Sequence, residues 1–168
     1  MINYWLFIKT RNRYAKETTK FTEQILLNSF KIGKWPVGSG TPHKTKVKPG
    51  DQVIVYYSKH FIANFQITSR YRALDISTKN LLSNRNDQNY CIDFNEPRFF
   101  SAPVYFREVQ IFLTPHGIRR ITKPIFERIM SKTQTFAPKG KGAIKGVIIK
   151  ARRMAESQNR AYNETCSN

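Results

Sequence analysis

Acid, cysteine and histidine are all scarce in this chain. The two cysteines among 168 residues, Cys91 and Cys166, are far apart, so neither a disulfide framework nor the paired cysteines of a structural zinc site can be built. His43, His60 and His116 are scattered, and none has a carboxylate at a motif spacing. No Ser, Cys or Thr has a recognisable base beside it, and no glycine-rich loop has phosphate-binding spacing. Asp93, Glu96 and Glu108 lack the paired Lys or His context of a nuclease-like metal centre. The expectation is a protein that binds rather than catalyses, with no metal and no cofactor.

Long apolar runs are missing as well. Tyr4 to Ile8 has no basic region before it and no small-residue cleavage site after it, and nothing approaches the ~20 residues of a membrane span. The expected setting is the cytoplasm, without membrane contact.

Positive charge is what the chain has in excess. Lys and Arg number 29 against 11 Asp and Glu, a formal +18 with a pI near 10.2. Solubility of a small domain is served by a net charge of about 2–8, so the surplus points to a polyanionic partner. A membrane-surface protein would concentrate its charge in one amphipathic helix or polybasic run. Here basic residues are interleaved with aromatic ones from end to end, so the expected partner is DNA or RNA. With 40% hydrophobic and 13% aromatic residues, the chain can fill the core of one domain.

Tyr4-Trp5-Leu6-Phe7-Ile8 predicts a central strand running into a polar loop, Lys9 to Arg13. Phe21, Ile25, Leu26 and Phe30 recur at helical spacing, with Thr18 or Thr19 as N-cap and Gly33 as a stop. Residues 33–50 have loop composition around a single tryptophan, Trp35. The turn Pro49-Gly50-Asp51 launches a strand, Val53 to Tyr57, and a second strand, Ile62 to Thr68, completes an antiparallel hairpin.

The polar residues 75–97 read as a long excursion, followed by a strand from about Ala102 to Leu113. Thr122 caps a helix carrying Ile125, Phe126, Ile129 and Met130, with Pro124 in its first turn. A basic hinge, Pro138 to Gly142, precedes a terminal helix from Ala143 to Ala161. No internal repeat is present. The expected class is α+β: a small β-barrel or strongly bent mixed sheet with flanking helices. One domain is expected over 1–150, with 151–168 as the helix end and polar tail.

Three segments in order, Tyr4-Trp5-Leu6-Phe7-Ile8, Trp35-Pro36-Val37 and Val47-Lys48-Pro49-Gly50-Asp51-Gln52-Val53-Ile54-Val55-Tyr56, resemble the EVE domain of the PUA-like superfamily, related to YTH and ASCH domains. The resemblance covers about residues 3–72. The chain departs from the pattern at Pro36 and at Ala63-Asn64-Phe65, where the family usually has glycine. The resemblance implies a PUA-like fold whose concave pocket accepts an extruded, often modified, nucleobase.

Aromatic stacking on a base is worth about 1–3 kcal/mol, and Trp35 is the first candidate for it; the other reading of Trp35 is a plug for the barrel end. The remaining pocket candidates are Lys9, Thr10 and Asn12 behind the first strand, Val37, Gly38 and Ser39 beyond the tryptophan, and Tyr57 and Ser58 at the end of the second strand. Phe99 is a candidate wall or a core residue. Tyr56 and Tyr57 point to opposite faces, so one of them at most looks into a pocket. Trp5 reads as core.

For the phosphates the candidates are Arg11, Arg13, Lys44, Lys46, Arg119, Arg120, Lys139, Lys141, Arg152 and Arg153. Two other classes compete with a base-binding module. One is a small nucleic-acid-processing enzyme, an ASCH-like nuclease or RNA-modifying domain; the other is an interaction protein of a defence or toxin–antitoxin system.

Overall fold

A strand that is apolar at every position must be covered on both faces, which places it in the middle of a sheet. β1 (Tyr4–Lys9) and β3 (Gln52–Tyr57) are of this kind: in the computed structural model, Trp5 to Ile8 and Val53 to Tyr57 are buried without a break. The two strands lie side by side and parallel, Trp5 beside Val53 and Lys9 beside Tyr57. The structure describes residues 1–9, 16–82, 88–111, 117–133, 135–136 and 141–165.

The chain leaves β1 and returns through α1 (Lys16–Ile32), which buries Ile25, Leu26, Leu27 and Phe30. The helix starts ahead of Thr18 and Thr19, so these two do not cap it; Lys16 and Glu17 are good helix formers and extend it by a few residues. Gly33 does end it, in the left-handed region at φ 67. The Gly33 carbonyl accepts a hydrogen bond from Phe94 N at 2.9 Å, and a Cβ at Gly33 would stand 2.9 Å from the Phe94 carbonyl oxygen.

Both the dihedral and the contact demand glycine there. Gly33→Ala is expected to cost about 2 kcal/mol, lowering the melting temperature by roughly 6 °C in a domain of this size. A thermal melt checks it, and an unchanged midpoint would show that this corner is not constrained.

Directly after Gly33 comes β2 (Lys34–Val37), where the composition predicts loop. Trp35 is therefore a strand residue. Its pairing partner is remote: β2 lies antiparallel to β6 (Tyr90–Asp93), Trp35 opposite Ile92. Neither segment shows alternation long enough to announce a strand, and each becomes one only because the other is there. β6 also pairs with β5 (Arg72–Ala73), giving a small sheet in the order β2-β6-β5. Pro36 is tolerated because β2 is an edge.

The expected excursion at 75–97 thus contains β6 as well as a short helix, α2 (Ile76–Leu82). Asp75 caps this helix by accepting from Thr78 N at 2.8 Å. Asp93 ties the small sheet together, 3.2 Å from Lys34 Nζ and 2.7 Å from Arg72 Nη2. Burial works against the Asp93 carboxylate, but the Arg72 and Lys34 hydrogen bonds outweigh it and hold its pKa below the ordinary value.

β3 turns into β4 (His60–Gln66) as the expected hairpin, begun two residues sooner than its composition suggests. Ser58 (φ 47) and Lys59 (φ 68) form its two-residue turn in the left-handed region that such hairpins require. β7 (Arg98–Tyr105) pairs with β4 and ends earlier than expected, in a 3-10 turn from Phe106 to Val109. β8 (Gly117–Ile121) lies antiparallel to β1, and β9 (Thr135–Phe136) lies beside β7. The large sheet runs β8-β1-β3-β4-β7-β9, and an Ile67–Phe94 bridge joins it to the small one. Among the described residues β8 and β9 remain open edges, so the sheet is mixed and bent rather than a closed barrel.

α3 (Lys123–Ser131), preceded by Thr122 as expected, covers one face through Ile125, Phe126, Ile129 and Met130. α1 and α4 (Lys141–Thr165) cover the other; α4 contributes Val147, Ile148 and Ala151 and runs two residues further N-terminally and four further C-terminally than predicted. No helix among the described residues is long and apolar enough to cross a membrane.

Candidate nucleic-acid interface

Strand alternation sorts the central residues into two cores. Trp5 and Phe7 of β1, with Val53, Val55 and Tyr57 of β3, face α1 and α4; Leu6, Ile8, Ile54 and Tyr56 face α3. Tyr56 and Tyr57 thus point to opposite sides, and both are buried. Burial raises the Tyr56 phenol to about 12.

Lys9 is the next member of the Trp5–Phe7 row, at the carboxyl end of β1 and level with Tyr57. Its ammonium lies 5.7 Å from the centroid of the Trp35 ring. Trp35 packs against Phe7 at 5.3 Å and Phe65 at 6.3 Å between centroids, and is only 3% exposed. The tryptophan therefore has a core role that its loop-like sequence surroundings conceal. Val37, two residues on, joins the same core.

The Tyr57 hydroxyl donates to Glu23 Oε1 at 3.1 Å, and Arg152 Nη1 donates to the same oxygen at 3.3 Å. Burial first, and then the Glu23 charge, push the Tyr57 phenol far above its ordinary range. The hydroxyl stays protonated as a donor. One carboxylate on α1 thus fastens β3 to α4 beside the carboxyl ends of the parallel strands. Glu23 was not singled out from the sequence. The available signal was scarcity, since only 11 acidic residues stand against 29 basic ones.

The remaining sequence candidates divide among several places. Gly38 is buried and Ser39 exposed in the turn after β2; the Gly38 and Ser39 carbonyls both accept from Lys44 Nζ, the former at 3.2 Å. Lys44 also stands 5.6 Å over the Tyr71 ring, so it closes this turn, whereas Lys46 is exposed. Ser58 sits at the β3–β4 turn, where its carbonyl is 2.9 Å from His60 Nδ1. Burial lowers the pKa of His60.

Phe99 packs on Phe30 at 4.9 Å and lines a different cleft, of about 480 Å³, with Phe94 and Gly33. Ring contacts connect it to Trp35 through Phe30, Phe94 and Phe65. Arg152 points inward to Glu23, while Arg153 is exposed. Lys141 begins α4. Thr10, Arg11, Asn12, Arg13 and Lys139 lie outside the described residues.

Arg119 and Arg120 belong to β8 and line a groove of about 520 Å³ at the opposite, amino end of β1, together with Asn3, Tyr4 and Lys123. Among the described residues, no cluster of three or more His, Cys, Asp or Glu could hold a metal ion. Asp93 is occupied by Arg72 and Lys34, and Glu108 accepts from Tyr105 N at 3.2 Å.

No protein-family model matches the sequence, and no curated protein matches it significantly. Solved structures do match. A protein from Leishmania major aligns with a TM-score of 0.51 at 13% identity, over 78% of this chain and 94% of its own. The ASCH structure from Zymomonas mobilis aligns with a TM-score of 0.50 at 10% identity, over 79% of this chain and 96% of its own. A YTH domain from Zygosaccharomyces rouxii, solved in complex with N6-methyladenosine RNA, aligns with a TM-score of 0.49 at 16% identity, over 82% and 95%. Identities this low speak to architecture and not to activity. The chain shares its α+β fold with the ASCH structure.

Proposed function

We propose that this chain is a nucleic-acid-binding module of the EVE-like kind, which holds a modified nucleobase at the carboxyl ends of β1 and β3 and the flanking phosphates on its basic surface. The observation that carries the reading is the convergence of Lys9, Trp35 and Tyr57 at one end of the sheet in a chain of formal charge +18. A polyanion supplies the counter-charge. A base supplies the π-face that Trp35 can stack on, and it does so by displacing the Lys9 ammonium, which then meets a phosphate. Tyr57, held by Glu23, forms the rigid floor. The protein acts by binding, with DNA or RNA as its partner.

Fluorescence-polarisation titrations test this. Matched single- and double-stranded DNA and RNA oligonucleotides, with and without methylated or hydroxymethylated bases, are compared at two salt concentrations. One modified base is expected to bind at least tenfold tighter at the higher salt, because stacking and edge hydrogen bonds survive screening whereas phosphate contacts do not. If every ligand binds alike and salt abolishes all binding, the basic field alone is responsible and the base site does not exist.

A further inference from the structure

The groove at the amino end of β1 is built, not incidental. Asp51 Oδ1 accepts from Asn3 Nδ2 at 3.1 Å, and Asn3 Oδ1 accepts from Arg120 Nη2 at 2.7 Å. A buried carboxylate thus orients a neutral amide, and the amide orients an exposed guanidinium without neutralising it. Lys123 stands on the same rim; its contact with Glu127 is 3.5 Å long between two side chains that are each more than half exposed, the kind of pair that contributes little. Among the described residues no acidic one lines the groove, while Arg119, Arg120 and Lys123 do.

Its floor is apolar, formed by Tyr4 and by isoleucines of which Ile2 is 54% exposed. Cations on a rim over an apolar floor suit a strand with phosphates outside and sugar or base faces inside. A second copy of this chain would bring another +18 to the same surface and is disfavoured.

From Tyr4 to Lys9, the six residues of β1 span roughly 17 Å at about 3.3 Å per residue. We infer that the groove between the amino end of β1 and β8 is a second nucleic-acid subsite, which holds the phosphates of the same strand several nucleotides away from the base site, with Arg120 and Lys123 as its contacts. The inference rests on the nucleic-acid reading above.

The test is the salt dependence of binding of the full chain to a labelled oligothymidylate and oligouridylate of about 20 nucleotides, longer than the ~4–16-nucleotide sites of single-strand-binding folds. Arg120→Gln combined with Lys123→Gln removes two cations and keeps the groove polar. The slope of log affinity against log salt is expected to become shallower by about 1.4, at ~0.7 per lost single-strand phosphate contact, while any preference for a modified base is retained. Lys123→Gln alone, on an exposed side chain whose pairing with Glu127 contributes little, is expected to give about half that change.

An unchanged slope in both variants, with wild-type binding intact, would remove the groove from the interface and leave the base site standing. Failure of the wild type to bind any oligonucleotide would instead remove the nucleic-acid reading itself. Tight binding of an oligoglutamate that the double variant loses, with oligonucleotide binding unaffected, would reassign the groove to an acidic protein.

Discussion

Asp51→Ala lowers the stability of the protein by about 4 kcal/mol, the sum expected when a buried carboxylate is taken from several donors at once. Asp51 is 2% exposed, and its oxygens accept from Trp5 Nε1 at 2.8 Å, Asn3 N at 2.9 Å, Lys48 N at 3.0 Å and Asn3 Nδ2 at 3.1 Å. Hydrogen bonds to a charged acceptor are worth about 1.5–3 kcal/mol each, and a buried donor left without an acceptor costs about 1–3 kcal/mol.

The Trp5 indole N–H is the donor with no substitute, because the ring is in the core at 2% exposure. The lost energy corresponds to a fall of roughly 12 °C in melting temperature at about 3 °C per kcal/mol. Asp51→Asn keeps one acceptor oxygen and should lose about half as much. A shift of less than about 2 °C for the alanine variant would mean that the amino end of β1 is held by packing rather than by this carboxylate. The same substitution frees Asn3 and, through it, Arg120, so a stable background carrying Asp51→Ala would also show weakened contacts in the β8 groove.

The parts of the fold that were legible in the sequence are those whose signal is local. β1 and β3 are runs of β-branched and aromatic residues, and such runs need no partner to be recognised. The β3–β4 hairpin follows from the shortness of its connection, and Gly33 from the punctuation at the end of α1. β2 and β6 were not legible. Each is four residues long, one contains Pro36, and the pairing of Trp35 with Ile92 spans most of the small sheet's sequence.

Missing that pairing changed the meaning of Trp35, because a tryptophan between glycines and prolines looks unsupported until its partner strand is in place. The Glu23 link to Tyr57 and Arg152 joins α1, β3 and α4, and the Asp51–Asn3–Arg120 relay joins a turn to β8. Both are side-chain networks between elements distant in sequence, which periodicity does not encode. The basic surplus, by contrast, was visible at once as composition, though not which cations are consumed internally: Lys44 and Arg152 are, and Arg153 and Lys46 remain on the surface.

Trp35→Ala is expected to cost about 4 kcal/mol of folding stability, as large-to-small changes of a buried tryptophan do, and this determines how the base site must be probed. The ring fills the space between Phe7 and Phe65, so its removal opens a cavity that the rigid β1–β3 pair cannot collapse. A loss of binding in that variant would report unfolding as readily as a lost stacking surface. Trp35→Phe keeps an aromatic face and most of the volume, so the fold is retained while the stacking area shrinks.

With Trp35→Phe, discrimination between modified and unmodified bases should fall several-fold with the salt slope unchanged, because no phosphate contact is touched. Lys9→Met supplies the opposite signature. It removes the cation from above the ring but keeps the apolar stem, so the salt slope drops by about 0.7–0.9 for one phosphate contact while base discrimination persists or rises as the ring is uncovered. If Trp35→Phe changes neither discrimination nor slope, Trp35 is a core residue and nothing more; if the two effects separate as stated, the ring reads the base and the lysine above it reads the backbone.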